Sequence, residues 1–260
     1  MNTYKHSGAF GDLIYSLIVP RHTGGGEFYL HLNQLEWIGQ HYYGSPPADF
    51  HIGRLNQKDF EFMAPLMEAQ EYITKFGVLD PNTTEISHNL DRFRPLFVGH
   101  PCNYLDLYAE IFGLFNIDAA VTRMIKAEGW LTVPTPRVVE DRPVVINRTS
   151  RWVGPSLPEH YNHWKYTKKW EDHAIFVGLE EEYERFRTLS GWTIPYQKCS
   201  DMLELAEYIA GARCFIGNQS MCLALAVGLN VPDIRCERRL DMPLERNECY
   251  FPQRTQIEYF

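Results

Sequence analysis

Three short stretches of this 260-residue chain bring together residue types that do chemistry. The first is His6-Ser7-Gly8-Ala9-Phe10-Gly11-Asp12. Its glycines let the backbone approach a ligand closely, and its carboxylate, at the mouth of the first strand, faces the cleft. The plain alternative is that Asp12 only caps the helix that follows. The second is Asn147-Arg148-Thr149-Ser150-Arg151-Trp152. Two guanidinium groups beside small hydroxyls suit a diphosphate, while a solvated loop explains the same composition. The third is Gly217-Asn218-Gln219-Ser220-Met221, directly ahead of an apolar run. A helix that starts there offers N–H groups and a positive dipole end to an anion, with Asn218, Gln219 and Ser220 adding polar groups. An ordinary N-cap is the simpler reading.

Other chemistries fit poorly. The Gly8–Gly11 turn is neither GxGxxG nor followed by GK[ST], which disfavours a dinucleotide dehydrogenase and a P-loop kinase. Gly217–Ser220 is not GxSxG, so no hydrolase nucleophile elbow is indicated. His160 and His163 form an HxxH pair without a third ligand at zinc spacing. There is no DxD pair to hold a diphosphate through a metal, and no metal site is expected. The six cysteines, Cys102, Cys199, Cys214, Cys222, Cys236 and Cys249, include no CxxC pair. Cys214 and Cys222 lie in apolar runs and read as small buried hydrophobes.

The elements that position these stretches repeat as strand, turn, helix. Thr3–His6 reads as a strand, and the turn is followed by a helix from Asp12 to Val19 stopped by Pro20. Gly24-Gly25-Gly26 precedes a strand over Glu27–Leu32. Residues 57–76 and 103–115 read as helical, and 88–98 as mixed. A linker is expected around Val133-Pro134-Thr135-Pro136 and Glu140-Asp141-Arg142-Pro143. Beyond it, Val144–Asn147, Ala174–Gly178, Arg213–Ile216 and Val231–Arg235 read as strands. Glu180–Leu189, a helix from Asp201 to Ala210 and Met221–Gly228 are the helices, the second opened by a capping-box-like Asp201 and Glu204. This rhythm predicts parallel sheets, in which ligands sit at the carboxyl ends of strands.

Composition agrees with an ordinary globular chain: 45% hydrophobic, 22% charged and 14% aromatic residues. That excludes a disordered chain, a collagen and a coiled coil. The net charge of −8 weighs against a protein built to bind nucleic-acid backbone, although an acidic protein can still carry a local basic patch. No apolar run is long enough to span a bilayer, no signal peptide is read at the start, and a reduced, cytoplasmic protein is expected.

Gly11-Asp12-Leu13 with Ser16-Leu17 and Pro20 resembles the amino-terminal Gly-Asp-apolar…Leu-Pro signature of the heptosyltransferase-like glycosyltransferases, glycosyltransferase family 9. The run from Cys214 to Pro232 resembles that family's carboxyl-terminal segment, in which a strand, a phosphate turn, a small-residue helix and Gly-x-x-x-Pro follow one another. This chain has Asn218-Gln219-Ser220-Met221 where the family has an Asp-Thr-Gly-x-x-His pattern. The resemblance implies an α/β, GT-B-like fold: two Rossmann-like domains with a cleft between them, here an acceptor domain over 1–138 and a nucleotide-sugar donor domain over 139–260. It implies an inverting, metal-independent transfer of a sugar from a nucleotide diphosphate sugar to an acceptor hydroxyl on a carbohydrate or other hydroxyl compound. Asp12 is then the catalytic base, and Arg148, Arg151, Asn218, Gln219, Ser220 and Met221 bind the donor phosphates. His6, Ser7, Gly8, Gly11 and Thr149 line the cleft. The altered 218–221 turn also admits a GT-B fold that binds a nucleotide sugar as a sensor or scaffold without catalysis. An epimerase or hydrolase acting on a nucleotide sugar is a further reading.

Overall fold

The first strand is Asn2–His6 (β1). In the computed structural model, which describes residues 1–33, 55–93, 104–114, 129–149, 164, 168–237 and 257–259, it leads into helices Phe10–Ser16 (α1) and Ile18–His22 (α2). Strand Gly26–Leu30 (β2) follows, then helix Gln57–Glu68 (α3) and strand Ile73–Val78 (β3). The short strand His88–Asn89 (β4) runs into a 3-10 turn over Leu90–Phe93, and helix Tyr104–Ile111 (α4) comes after it. The four strands pair in parallel in the order β3-β2-β1-β4. Leu13, Ile14, Phe28, Leu66 and Trp130 are buried among them.

Three local expectations are corrected here. Asp12 is not the N-cap of α1: that position is Ala9, and Asp12 is the third helical residue. Pro20 does not stop the helix. The chain leaves α1 at Leu17, and Pro20 lies in the first turn of α2, where its missing N–H is not needed. The stretch 57–76 is helical only to Glu68, and from Ile73 it is strand. The β-branched Ile73 and Thr74 next to Phe76 suit a pleated surface, which local periodicity did not separate from the preceding helix.

The triple glycine has a steric cause. Gly25 has φ +70° and Gly26 φ +154°, and a Cβ on them would lie 2.5 Å from the Tyr72 carbonyl oxygen and 2.1 Å from the Asn2 carbonyl oxygen. Side-chain-free residues let β2 enter the sheet between β1 and β3. Gly26→Ala is expected to lower stability by about 3 kcal/mol, seen as a lower urea midpoint at constant m-value. A wild-type midpoint would show that the Asn2 peptide yields easily.

The chain divides into two compact units, the first running from Met1 to Thr132 and the second beginning at Val133. Gln70 holds the end of the first unit, its amide accepting from Thr132 N and donating to Thr132 O, both at 3.0 Å. Arg137 ties the chain to the second unit through Glu204 and Glu207, both at 2.7 Å.

In the second unit the strands are Val144–Asn147 (β5), Ala174–Val177 (β6), Tyr196–Gln197 (β7), Cys214–Gly217 (β8), Asp233–Cys236 (β9) and Ile257–Tyr259 (β10). The helices Glu180–Ser190 (α5), Met202–Gly211 (α6) and Met221–Gly228 (α7) alternate with them. Asp201 caps α6 by accepting from Glu204 N at 2.8 Å, while the Glu204 carboxylate reaches back to Ser200 N. The sheet is parallel throughout, in the order β10-β9-β8-β5-β6-β7. Counted from β5, this is the 3-2-1-4-5-6 order of a Rossmann sheet. The first unit has the corresponding 3-2-1-4 half.

Candidate functional site

In a sheet of this order the chain reverses its winding between the first and fourth strands, and the crevice at their carboxyl ends is where ligands bind. In the second unit that point lies between β5 and β8, and two of the three singled-out stretches, 147–152 and 217–221, start there. Asn147 pairs with Gly217 across it. A Cβ on Gly217 would lie 2.6 Å from the Asn147 carbonyl oxygen and 2.8 Å from the Phe215 ring, so glycine is what lets these strand ends close up.

Asn218 is buried and its amide is matched to the backbone of Thr149. Its Oδ1 accepts from Thr149 N and its Nδ2 donates to Thr149 O, both at 3.1 Å, with a further contact to Thr149 Oγ1 at 3.3 Å. The side chain thus adds one more rung beyond the ends of β5 and β8. An aspartate there could accept but not donate, so asparagine suits this position in this chain. The expectation that the Asn218 side chain meets donor phosphate is revised accordingly. It joins the two loops, and Thr149 is held by its backbone.

Arg148 also departs from expectation. Its side chain is only 2% exposed, and Nε and Nη2 fork onto Oε2 and Oε1 of Glu237 at 2.8 and 2.9 Å. The Trp164 indole N–H donates to the same Oε2 at 3.1 Å. A guanidinium whose charge is matched by a buried carboxylate is a poor diphosphate clamp, so Arg148 builds the loop. Arg151 lies outside the described residues, as do Ser150, Trp152, His160, His163, Cys102 and Cys249. Glu237 was not singled out in the sequence. Its one signal was a charged residue just past the strand predicted at 231–235.

Ser220 is the N-cap of α7, with extended backbone (φ −142°, ψ −177°) and no capping bond from its own side chain. Its hydroxyl instead donates to Asn147 Oδ1 at 3.4 Å. Asn147 Nδ2 donates to Val177 O at 2.8 Å, joining the ends of β5 and β6. Burial raises the Glu182 carboxyl nearby above its usual range, opposed by hydrogen bonds from Leu179 N–H and Asn147. Gln219 and Met221 are half-exposed around the start of α7. What this arrangement can do chemically is present first-turn N–H groups and a dipole end to an anion at the crevice.

In the first unit the reversal lies between β1 and β4, and the stretch His6–Asp12 begins there. His6, Ser7 and Gly8 are buried. Ser7 N donates to Asp91 Oδ1 at 3.2 Å. Phe10, Gly11 and Asp12, which follow, are half-buried. Asp91 and Tyr108, both buried here, were missed because they reach the turn from distant parts of the chain.

Four free thiols lie among the described residues. Burial pushes Cys199 and Cys214 up to about 12 and drives Cys222 and Cys236 well above their ordinary range, so these four stay protonated at neutral pH. Among the described residues, no group of three or more His, Cys, Asp or Glu could hold a metal ion. No described helix is long and apolar enough to cross a membrane.

The two parallel sheets define an α/β architecture of the GT-B kind. The fold is similar to the crystal structure of the glycosyl transferase family 9 from Veillonella parvula DSM 2008, with TM-score 0.58 and 10% identity over 99% of this chain and 84% of that one. It is also similar to E. coli ADP-heptose lps heptosyltransferase II, with TM-score 0.51 and 12% identity over 100% of this chain and 90% of that one. At such identities the likeness is one of fold. No protein-family model and no curated protein matches the sequence.

Proposed function

We propose that the protein is an inverting, metal-independent glycosyltransferase that takes its sugar from a nucleoside diphosphate sugar. Asp12 removes the proton from an acceptor hydroxyl on a carbohydrate or other hydroxyl compound. The acceptor oxygen bonds to the anomeric carbon as that carbon's bond to the diphosphate breaks, and the electron pair leaves with the nucleoside diphosphate. The first-turn N–H groups of α7 stabilise the departing charge, with Gln219, Ser220 and Met221 around it. The observation that carries this reading is α7 itself. It starts at the β5–β8 switch point, and its cap hydroxyl is turned to Asn147 instead of to the helix's own first turn. The GT-B likeness and the ADP-heptose named for the E. coli protein support a nucleoside diphosphate as the anion.

The test is thermal unfolding with ADP, UDP and GDP against adenosine, uridine and guanosine. One diphosphate at about 100 times its Kd is expected to add about 2.7 kcal/mol, a rise of several degrees, with the matching nucleoside much weaker. No shift from any diphosphate would overturn the donor site. One observation favours a second reading, a sugar-nucleotide sensor or scaffold: the Asn218 amide is committed to Thr149 where the resembling family carries an acid. That reading expects the diphosphate shift without nucleotide release from any donor sugar.

A further inference from the structure

Helix α1 carries the proposed base but does little to hold itself in place. It has seven residues, and its N-cap, Ala9, has no side-chain oxygen to offer. So short a helix is marginal alone, and tertiary contacts must set where its first turn lies. Two aromatic residues supply them from outside. Trp130 Nε1 donates to the Ile14 carbonyl at 2.7 Å, and the Tyr108 hydroxyl donates to the Asp12 carbonyl at 3.3 Å.

The direction of the second bond follows from its neighbours. Gly8 N–H donates to His6 Nδ1 at 3.0 Å, so that nitrogen carries a lone pair. The neutral imidazole then has its hydrogen on Nε2, which lies 3.2 Å from the Tyr108 hydroxyl. The tyrosine accepts there, and its single hydrogen is directed to Asp12. Ring contacts hold the two side chains: His6 stacks on Phe93 at 6.1 Å, and Tyr108 packs against Phe93 at 5.1 Å and Phe112 at 6.5 Å. Asp91 Oδ1, 3.8 Å from His6 Nδ1, completes the buried surroundings.

We infer that Tyr108, oriented by the neutral imidazole of His6, is a positioning residue for Asp12. The inference rests on the proposed role of Asp12 as base. A tyrosine on α4 and a histidine at the end of β1 fix the peptide of the residue that must meet the acceptor, without touching the substrate themselves.

Tyr108→Phe tests this, because it keeps the ring packing and deletes only the hydroxyl. The readouts are the ¹⁵N resonances of the His6 imidazole, the ¹³C resonance of the Asp12 carboxyl, and nucleotide release from ADP-glucose, UDP-glucose and GDP-mannose. Wild type is expected to carry the His6 proton on Nε2. In Tyr108→Phe the Asp12 carboxyl resonance moves and kcat falls about tenfold, while KM for the donor stays within about twofold. His6→Gln, which keeps an N–H donor toward Tyr108, is expected to retain most of the turnover that His6→Leu loses. An unmoved Asp12 resonance in Tyr108→Phe, or a loss confined to KM, overturns the inference. If wild type releases no nucleotide from any of the three donors, the transferase reading fails for them, and the Asp12 resonance still decides the positioning role. If Tyr108→Phe does not fold, the wild-type tautomer decides, and a proton on Nδ1 overturns it.

Discussion

Asp12→Asn is expected to cut sugar transfer by roughly 10²–10⁴-fold, the usual contribution of a positioned general base. The substitution keeps the size and polarity of the side chain but removes its ability to hold a proton. A base acts on the acceptor only in the transition state, so affinity for the nucleoside diphosphate should stay unchanged. Steady-state kinetics and calorimetric titration of the diphosphate on the same preparation check both halves. Turnover within threefold of wild type would remove Asp12 from the mechanism. Lost turnover with equally lost diphosphate affinity would make it a binding residue instead.

Arg148→Ala is expected to destabilise the protein by about 3–5 kcal/mol, the usual cost of leaving one member of a buried ion pair without its partner. Glu237 would keep the Trp164 indole at 3.1 Å but lose both guanidinium bonds. The double replacement Arg148→Met with Glu237→Leu should recover much of that loss, since well-packed apolar side chains often replace a buried pair at little cost. Urea denaturation of the single and double variants measures this. A diphosphate clamp would behave in the opposite way, with Arg148→Ala keeping its stability and losing affinity for diphosphate more than for nucleoside. That outcome would return Arg148 to the phosphate site and require the Glu237 pair to open on binding.

Much of the second unit was legible because its signals are local. The strand Val144–Asn147, the helix Met221–Gly228 and the Asp201 cap of α6 came out as read, since apolar period and cap chemistry act over only a few residues. The first unit misled where two local rules competed. Residues 57–76 carry apolar side chains compatible with one long helix, yet from Ile73 the β-branched residues pair with β2. An aspartate near a helix start reads as a cap, but the chain enters α1 three residues earlier.

The sequence by itself determined the βα rhythm, the turns at the ends of the first strand of each unit, and the likeness in residues 11–20 and 214–232 that pointed to a GT-B fold. Tertiary structure alone decided what each polar residue of those turns does. Arg148 meets Glu237 across 89 positions, Asn218 meets Thr149 across 69, and His6 meets Tyr108 across 102. These partners are brought together by the order of strands in each sheet, a long-range property that no local period encodes. A buried guanidinium, amide or imidazole takes whichever complementary group that order places beside it, because leaving it unmatched away from water costs too much.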